Sequence, residues 1–97
     1  MSRRKGELTR AGIDRGWPHQ VALSAELTRR DFKLIQDFCR DLSLCPRGHS
    51  VFHEGEWWNV YCFAVEDHAA NFTGRFGGER FHPADRKMGW APGKKRA

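Results

Sequence analysis

The most regular pattern in the chain is a series of apolar residues that recur three and four positions apart, as on one face of an α-helix. The series consists of Phe32, Ile35, Phe38, Cys39 and Leu42. Thr28 precedes it as a favourable N-cap, and Asp31 stands three positions later, in the manner of a capping box. The pattern predicts a helix over residues 29–42, which ends before Pro46 because proline cannot continue a helix.

Short runs of branched and aromatic residues predict the strands. Residues 21–23 form one short strand candidate, and the segment "SVFHEGEWWNVYCFAV" has the pattern of a hairpin. In this hairpin residues 51–53 are the short arm, residues 54–56 are the turn and residues 57–65 are the long arm. A brief last strand is predicted over residues 79–82.

A second helix is predicted between the hairpin and the last strand, because Ala69, Phe72 and Phe76 again recur at helical spacing. Asp67 can cap its start, and Gly77 is a natural C-cap. The resulting order, β-α-β-β-α-β, is the split-βαβ, ferredoxin-like arrangement. We therefore predict an α+β fold in which two helices cover one face of a four-stranded antiparallel sheet whose last strand is weak.

The long arm of the hairpin is apolar on both faces, which is unusual for a sheet with one side in water. Trp57, Tyr61 and Phe63 share one face, while Trp58, Val60 and Cys62 share the other. We expect the Trp57 face to be the open one, covered by a partner or by the Trp-containing ends of the chain. The predicted binding residues are Trp57, Tyr61, Phe63 and Trp17. Self-association as a homodimer is the first expectation, and another protein partner is the second.

Two resemblances accompany this pattern. A strand, an acidic residue, "xxAxxF" and a double glycine over residues 57–81 resemble the second half of ferredoxin-like domains, including RNA-recognition motifs. The segments "GIDRGWPHQVAL", "LSLCPRGH" and "RFGGERF" resemble a group of short bacterial proteins to which no activity or ligand is attached. The first resemblance implies a fold, and the second implies no functional residue.

The net charge of +5 raises the question of nucleic acid, but the charge lies at the two ends of the chain. Residues 1–15 carry five Lys/Arg against two acids, and residues 83–97 carry five against one. Residues 16–82 carry seven Lys/Arg against nine Asp/Glu, so the positive charge lies outside this region. We expect a flexible basic segment over residues 1–15, one domain over residues 16–82 and a basic tail over residues 83–97. The alternative function is weak binding of single-stranded nucleic acid by the same aromatic face, aided by Arg3, Arg4, Lys94, Lys95 and Arg96.

Cysteine and histidine supply the remaining candidate chemistry. Cys39, Cys45, His49 and His53 form the pattern C-x5-C-x3-H-x3-H. All four are residue types that bind zinc, but the spacing differs from the usual paired ligands. Packing explains Cys39 on its helix stripe, and a nucleophilic pair of Cys45 with His49 is a third possibility. We predict no metal, no cofactor and no catalytic residue.

The cellular setting follows from composition. The chain has three cysteines, which is too few and too odd a number for a disulfide framework. No apolar stretch approaches the roughly 20 residues that span a bilayer. We expect no secretory signal, because no apolar region follows the basic first residues. These features favour a cytoplasmic protein without membrane contact.

Overall fold

The computed structural model describes residues 9–83, and this region contains four helices and one four-stranded sheet. The elements are α1 (Arg10–Gly16), β1 (His19–Ser24), α2 (Ala25–Arg30), α3 (Phe32–Cys39), β2 (His49–His53), β3 (Glu56–Phe63), α4 (Glu66–Phe76) and β4 (Glu79–Phe81). The strand order is β2-β3-β1-β4, and every neighbouring pair is antiparallel. Helices α2 and α3 connect β1 to β2, and β3 lies between these two strands in the sheet. Helix α4 connects β3 to β4, and β1 lies between them. This arrangement confirms the predicted ferredoxin-like α+β fold.

The first predicted helix is divided in two at Asp31, whose φ of −106° and ψ of 20° depart from helical values. The N-cap of α2 is Ser24 rather than Thr28, since the Ser24 Oγ accepts from the Leu27 N–H at 3.2 Å. Thr28 lies inside α2 and donates its hydroxyl to the Ser24 carbonyl. The predicted cap at Thr28 is therefore wrong, because the end of β1 already offers a serine at the right distance before the helix.

The hairpin between β2 and β3 turns on two residues, Glu54 and Gly55. Both have positive φ values, 49° and 79°, as a type I′ turn requires. The pairing that follows sets His53 opposite Glu56 and Phe52 opposite Trp57. The predicted three-residue turn over residues 54–56 would have placed Phe52 opposite Trp58. The observed register of β2 on β3 therefore differs from the predicted one by one residue.

The sheet separates two buried layers. The layer beneath α2, α3 and α4 contains Val21, Leu23, Ile35, Cys39, Phe63, Ala69 and Phe72. The layer on the opposite face contains Ile13, Ala22, Cys45, Val60, Cys62 and Phe81, with Trp17 and Trp58 packed against it. Both faces of β3 are apolar because both are covered: one by α2, α3 and α4, and the other by α1.

The folded region begins earlier than the predicted boundary at residue 16. Arg10–Gly16 is helical, Thr9 accepts the Gly12 N–H as a cap, and Ile13 is buried in the second layer. At the other end only Pro83 of the predicted tail is described. Among residues 9–83, no helix has both the length and the apolar character needed to cross a bilayer.

Candidate interaction site at the β2 edge

The structure buries one of the four predicted binding residues fully and two of them partly. Phe63 is fully buried beneath the helices, and the Tyr61 ring lies against Phe72 with 5.0 Å between the ring centroids. Burial raises the pKa of the Tyr61 hydroxyl. Trp17 packs against the opposite layer. The expectation that the Trp57 face is the open one is therefore wrong for most of its length.

The reason lies in the pairing of β3 with the central strand β1. Val21 is opposite Tyr61 and Leu23 is opposite Asn59, so these large side chains share one face. The other face presents the smaller Ala22, opposite Val60. The helices cover the face with the larger side chains, and the short helix α1 covers the other.

Trp57 is the exception, because it lies at the end of β3 that projects beyond the helices. Its side chain is 54% exposed, and that of Phe52 directly opposite on β2 is 58% exposed. The two rings meet edge to face with centroids 5.0 Å apart, a geometry that aromatic pairs favour. Phe52 and Trp57 thus form an exposed aromatic pair on the hairpin.

A groove of about 590 Å³ lies further along the same two strands, beside Ser50 and its partner Asn59. Its walls come from α3 on one side and from the start of β2 on the other, and its floor comes from β3. Lining residues include Phe32, Gln36 and Arg40 of α3, Gly48 and Ser50 at β2, and Asn59 and Tyr61 of β3. Phe32 is itself 57% exposed at the rim. The groove exists because α3 leaves the outer strand β2 uncovered.

β2 is an edge strand, and within residues 9–83 it pairs with β3 alone. A two-residue turn makes His53 and Glu56 a hydrogen-bonded pair, and such pairs alternate with non-bonded pairs along antiparallel strands. Val51 therefore directs its backbone N–H and C=O towards β3. Ser50 and Phe52 direct theirs outwards, away from the sheet.

The outward edge of β2 also lacks the usual protection. Its sequence "HSVFH" contains no Lys, Arg, Asp, Glu or Pro, whereas natural edge strands commonly carry charges or proline that discourage pairing. An unprotected edge beside an exposed aromatic pair is a ready site for strand addition.

The Cys/His candidates are not assembled into one site. Cys39 is buried in the layer beneath the helices, and Cys45 is buried on the opposite side of the sheet. The His49 ring packs edge to face on Phe81, and its Nε2 lies 3.5 Å from the Gln20 Oε1. In the described part of the chain, no three His, Cys, Asp or Glu side chains are placed to hold a metal ion.

The basic residues of the nucleic-acid alternative, Arg3, Arg4, Lys94, Lys95 and Arg96, lie outside the described residues. Comparison of the chain with protein-family models, with curated proteins and with solved structures finds no match. The resemblance to short bacterial proteins therefore stays a prediction.

Proposed function

We propose that this protein is an interaction module that self-associates through the β2 edge, so that two copies share one continuous antiparallel sheet. The observation that carries the proposal is the outward direction of the Ser50 and Phe52 backbone groups on an edge without charge. Unpaired strand edges of this kind add a strand from another chain, and the main-chain hydrogen bonds hold it there.

A second copy fits this edge because the edge is complementary to itself. Ser50 and Phe52 lie symmetrically about Val51. In an antiparallel pairing centred on Val51, Ser50 of one copy faces Phe52 of the other, and each such pair exchanges both N–H···O bonds. The same contacts occur twice across a two-fold axis, as in most protein dimers.

The side chains add a second reason. Ser50 and Phe52 point to the same face, since they are two positions apart on a strand. The pairing places the exposed Phe52 ring of the second copy beside Ser50, which lines the groove. The ring would enter the groove between Ser50 and the exposed Phe32. Burial of an exposed phenyl ring stabilises an association by about 1 to 2 kcal/mol, and the symmetry doubles this contribution.

The experiment is sedimentation velocity on the intact protein over a dilution series, comparing wild type with Phe52→Lys. We expect a concentration-dependent dimer for wild type and a monomer for Phe52→Lys, because a lysine on the edge blocks pairing. Leu34→Lys is the matched control. Leu34 is 52% exposed on α3 and lies off the groove, so this variant should dimerise as wild type does. A wild-type protein that stays monomeric at the highest concentration would overturn the proposal.

Single-stranded nucleic acid is the alternative occupant of the same aromatic pair, since exposed rings on a sheet stack with bases. A labelled oligonucleotide titrated into the protein at several salt concentrations distinguishes the two. Binding that weakens steeply with salt, by a wild-type protein that is monomeric, would favour the alternative. No binding at low salt, together with the dimer, supports self-association.

A further inference from the structure

Two of the cysteines lie opposite each other on neighbouring segments of backbone. Leu44 forms an isolated antiparallel bridge with Phe63. The hydrogen bonds on either side of this bridge join the Cys45 N–H to the Cys62 carbonyl at 2.8 Å and the Ala64 N–H to the Ser43 carbonyl at 3.2 Å. Cys45 is thus joined to Cys62 by one backbone hydrogen bond, one position beyond the bridge.

The side chains of this pair meet on one face of the sheet. Directly opposite residues on antiparallel segments project to the same side, and Cys45 and Cys62 both belong to the buried layer around Ile13 and Val60. Opposite residues on antiparallel segments have Cα atoms about 4.5 to 5.5 Å apart. This separation lies within the range of roughly 4.4 to 6.8 Å that a disulfide spans, so closure requires no large movement of the backbone.

We propose that Cys45 and Cys62 are a redox pair that closes reversibly to an intramolecular disulfide when the protein meets a peroxide. The Cys45 thiolate attacks one peroxide oxygen, and the O–O bond breaks to leave a sulfenic acid on Cys45 and one molecule of water. The Cys62 sulfur then attacks the Cys45 sulfur and displaces the second water. Two thiols and one hydrogen peroxide become one disulfide and two waters, and a dithiol reductant reverses the change.

Cys45 is the thiol that the oxidant meets first. It lies in the connection between α3 and β2, where Pro46, Arg47 and Gly48 are exposed. The Arg47 N–H donates to the Cys45 Sγ at 3.4 Å. Opening of this connection exposes Cys45 without separating the strands of the sheet, and connections of this kind open at low free-energy cost. Cys62 on β3 is fully buried and acts as the second, resolving thiol.

Cys39 provides an internal control. It is buried in the other layer, beneath the helices, and burial raises its pKa to about 11. A thiol is a poor nucleophile, so Cys39 should remain reduced under conditions that oxidise the pair. Cys39 also belongs to a different buried layer from the other two cysteines.

The test uses the intact folded protein, treated with hydrogen peroxide and then alkylated under denaturing conditions. Trypsin separates the three cysteines into residues 34–40, 41–47 and 48–75, because Lys33, Arg40, Arg47 and Arg75 precede or end these peptides. We expect a linked species of peptides 41–47 and 48–75, lighter by two hydrogens than their sum, with peptide 34–40 fully alkylated. Dithiothreitol added before alkylation should abolish the linked species.

Two cysteine variants, each checked for folding, distinguish the proposed disulfide from the effect of a folding defect. Cys39→Ser should form the same linked species as wild type, and Cys62→Ala should leave a Cys45 sulfenic acid that dimedone traps. Circular dichroism before oxidation confirms that each variant is folded. Complete alkylation of all three peptides after peroxide treatment would overturn the proposal, and so would a disulfide that includes Cys39 or joins two chains.

Discussion

The two edges of the sheet are built in opposite ways. β4 has three residues, two of which are the charged Glu79 and Arg80, and Arg80 donates to the Glu66 carboxylate at 2.6 Å. β2 has five residues without a formal charge and carries one ring of an exposed aromatic pair. Charges and short strands are the means by which proteins protect an edge from pairing. β4 therefore has the features that discourage strand pairing, and β2 lacks them.

The charged edge is tied to the body of the domain at one carboxylate. Glu66, in the first turn of α4, contacts Arg80 of β4 and the His19 Nδ1 of β1, the latter at 2.9 Å. The hydrogen bond from Arg80 lowers the pKa of Glu66, and His19 contributes further. Strand β4 is therefore connected to both β1 and α4 by its side chains, whereas the Phe52 ring of β2 is 58% exposed.

The largest predicted effect separates the inward and outward sides of β2. Val51→Pro removes an N–H that bonds to β3, and we expect a loss of about 1 to 3 kcal/mol in the free energy of unfolding, because the carbonyl of β3 loses its donor. Ser50→Pro removes an outward N–H, so the monomer should lose about 1 kcal/mol or less while the dimer is abolished. Urea unfolding with sedimentation of both variants checks the difference. Equal destabilisation by the two prolines would contradict the assigned alternation.

A smaller effect is expected at the turn that sets the register of β2. Glu54 adopts a positive φ of 49°, which costs a residue other than Gly or Asn about 1 kcal/mol. Glu54→Asn should raise the free energy of unfolding by up to about 1 kcal/mol, because Asn-Gly is the preferred type I′ sequence. Thermal unfolding measures the gain, with Glu56→Asn as the control at the neighbouring strand position. A loss of stability in Glu54→Asn would mean that the turn has another geometry.

The smallest effect concerns the β4 edge. Because the pKa of Glu66 is lowered in the folded protein, its stabilising contribution is present above its ordinary pKa of 4.5 and is lost as the pH falls through the folded value. Glu66→Gln should remove this part of the pH dependence. The side chain is about half exposed, so the contribution is below about 1 kcal/mol. Urea titrations from pH 7 to pH 3 check this expectation, and the dimer should be unaffected at pH 7.

The contrast between the two edges was only partly available from the sequence. The β-α-β-β-α-β succession followed from the two helical stripes and the aromatic hairpin, whereas α1 and the division of the first predicted helix at Asp31 did not. The choice of covered face did not follow, because both faces of β3 are apolar and alternation alone does not say which one meets the helices. The burial of Ile13 is part of the reason for the observed arrangement, because it brings α1 onto the face of the sheet opposite the other helices.

Phe52 was missed for a related reason. A turn over residues 54–56 places Phe52 opposite Trp58, whereas the two-residue turn places it opposite Trp57. A shift of one residue moves every side chain to the other face, so the aromatic pair is visible only once the turn is known. Nothing in the sequence indicates that Glu54, at the first turn position, adopts a positive φ. The glycine that follows it was the one available indication of a tight turn.

Amide hydrogen exchange as a function of protein concentration tests the shared sheet most directly. The account predicts that the Ser50 and Phe52 amides are protected in concentrated protein and exchange rapidly after dilution, while the Val51 amide stays protected throughout. Rapid exchange at Ser50 and Phe52 at every concentration would contradict it.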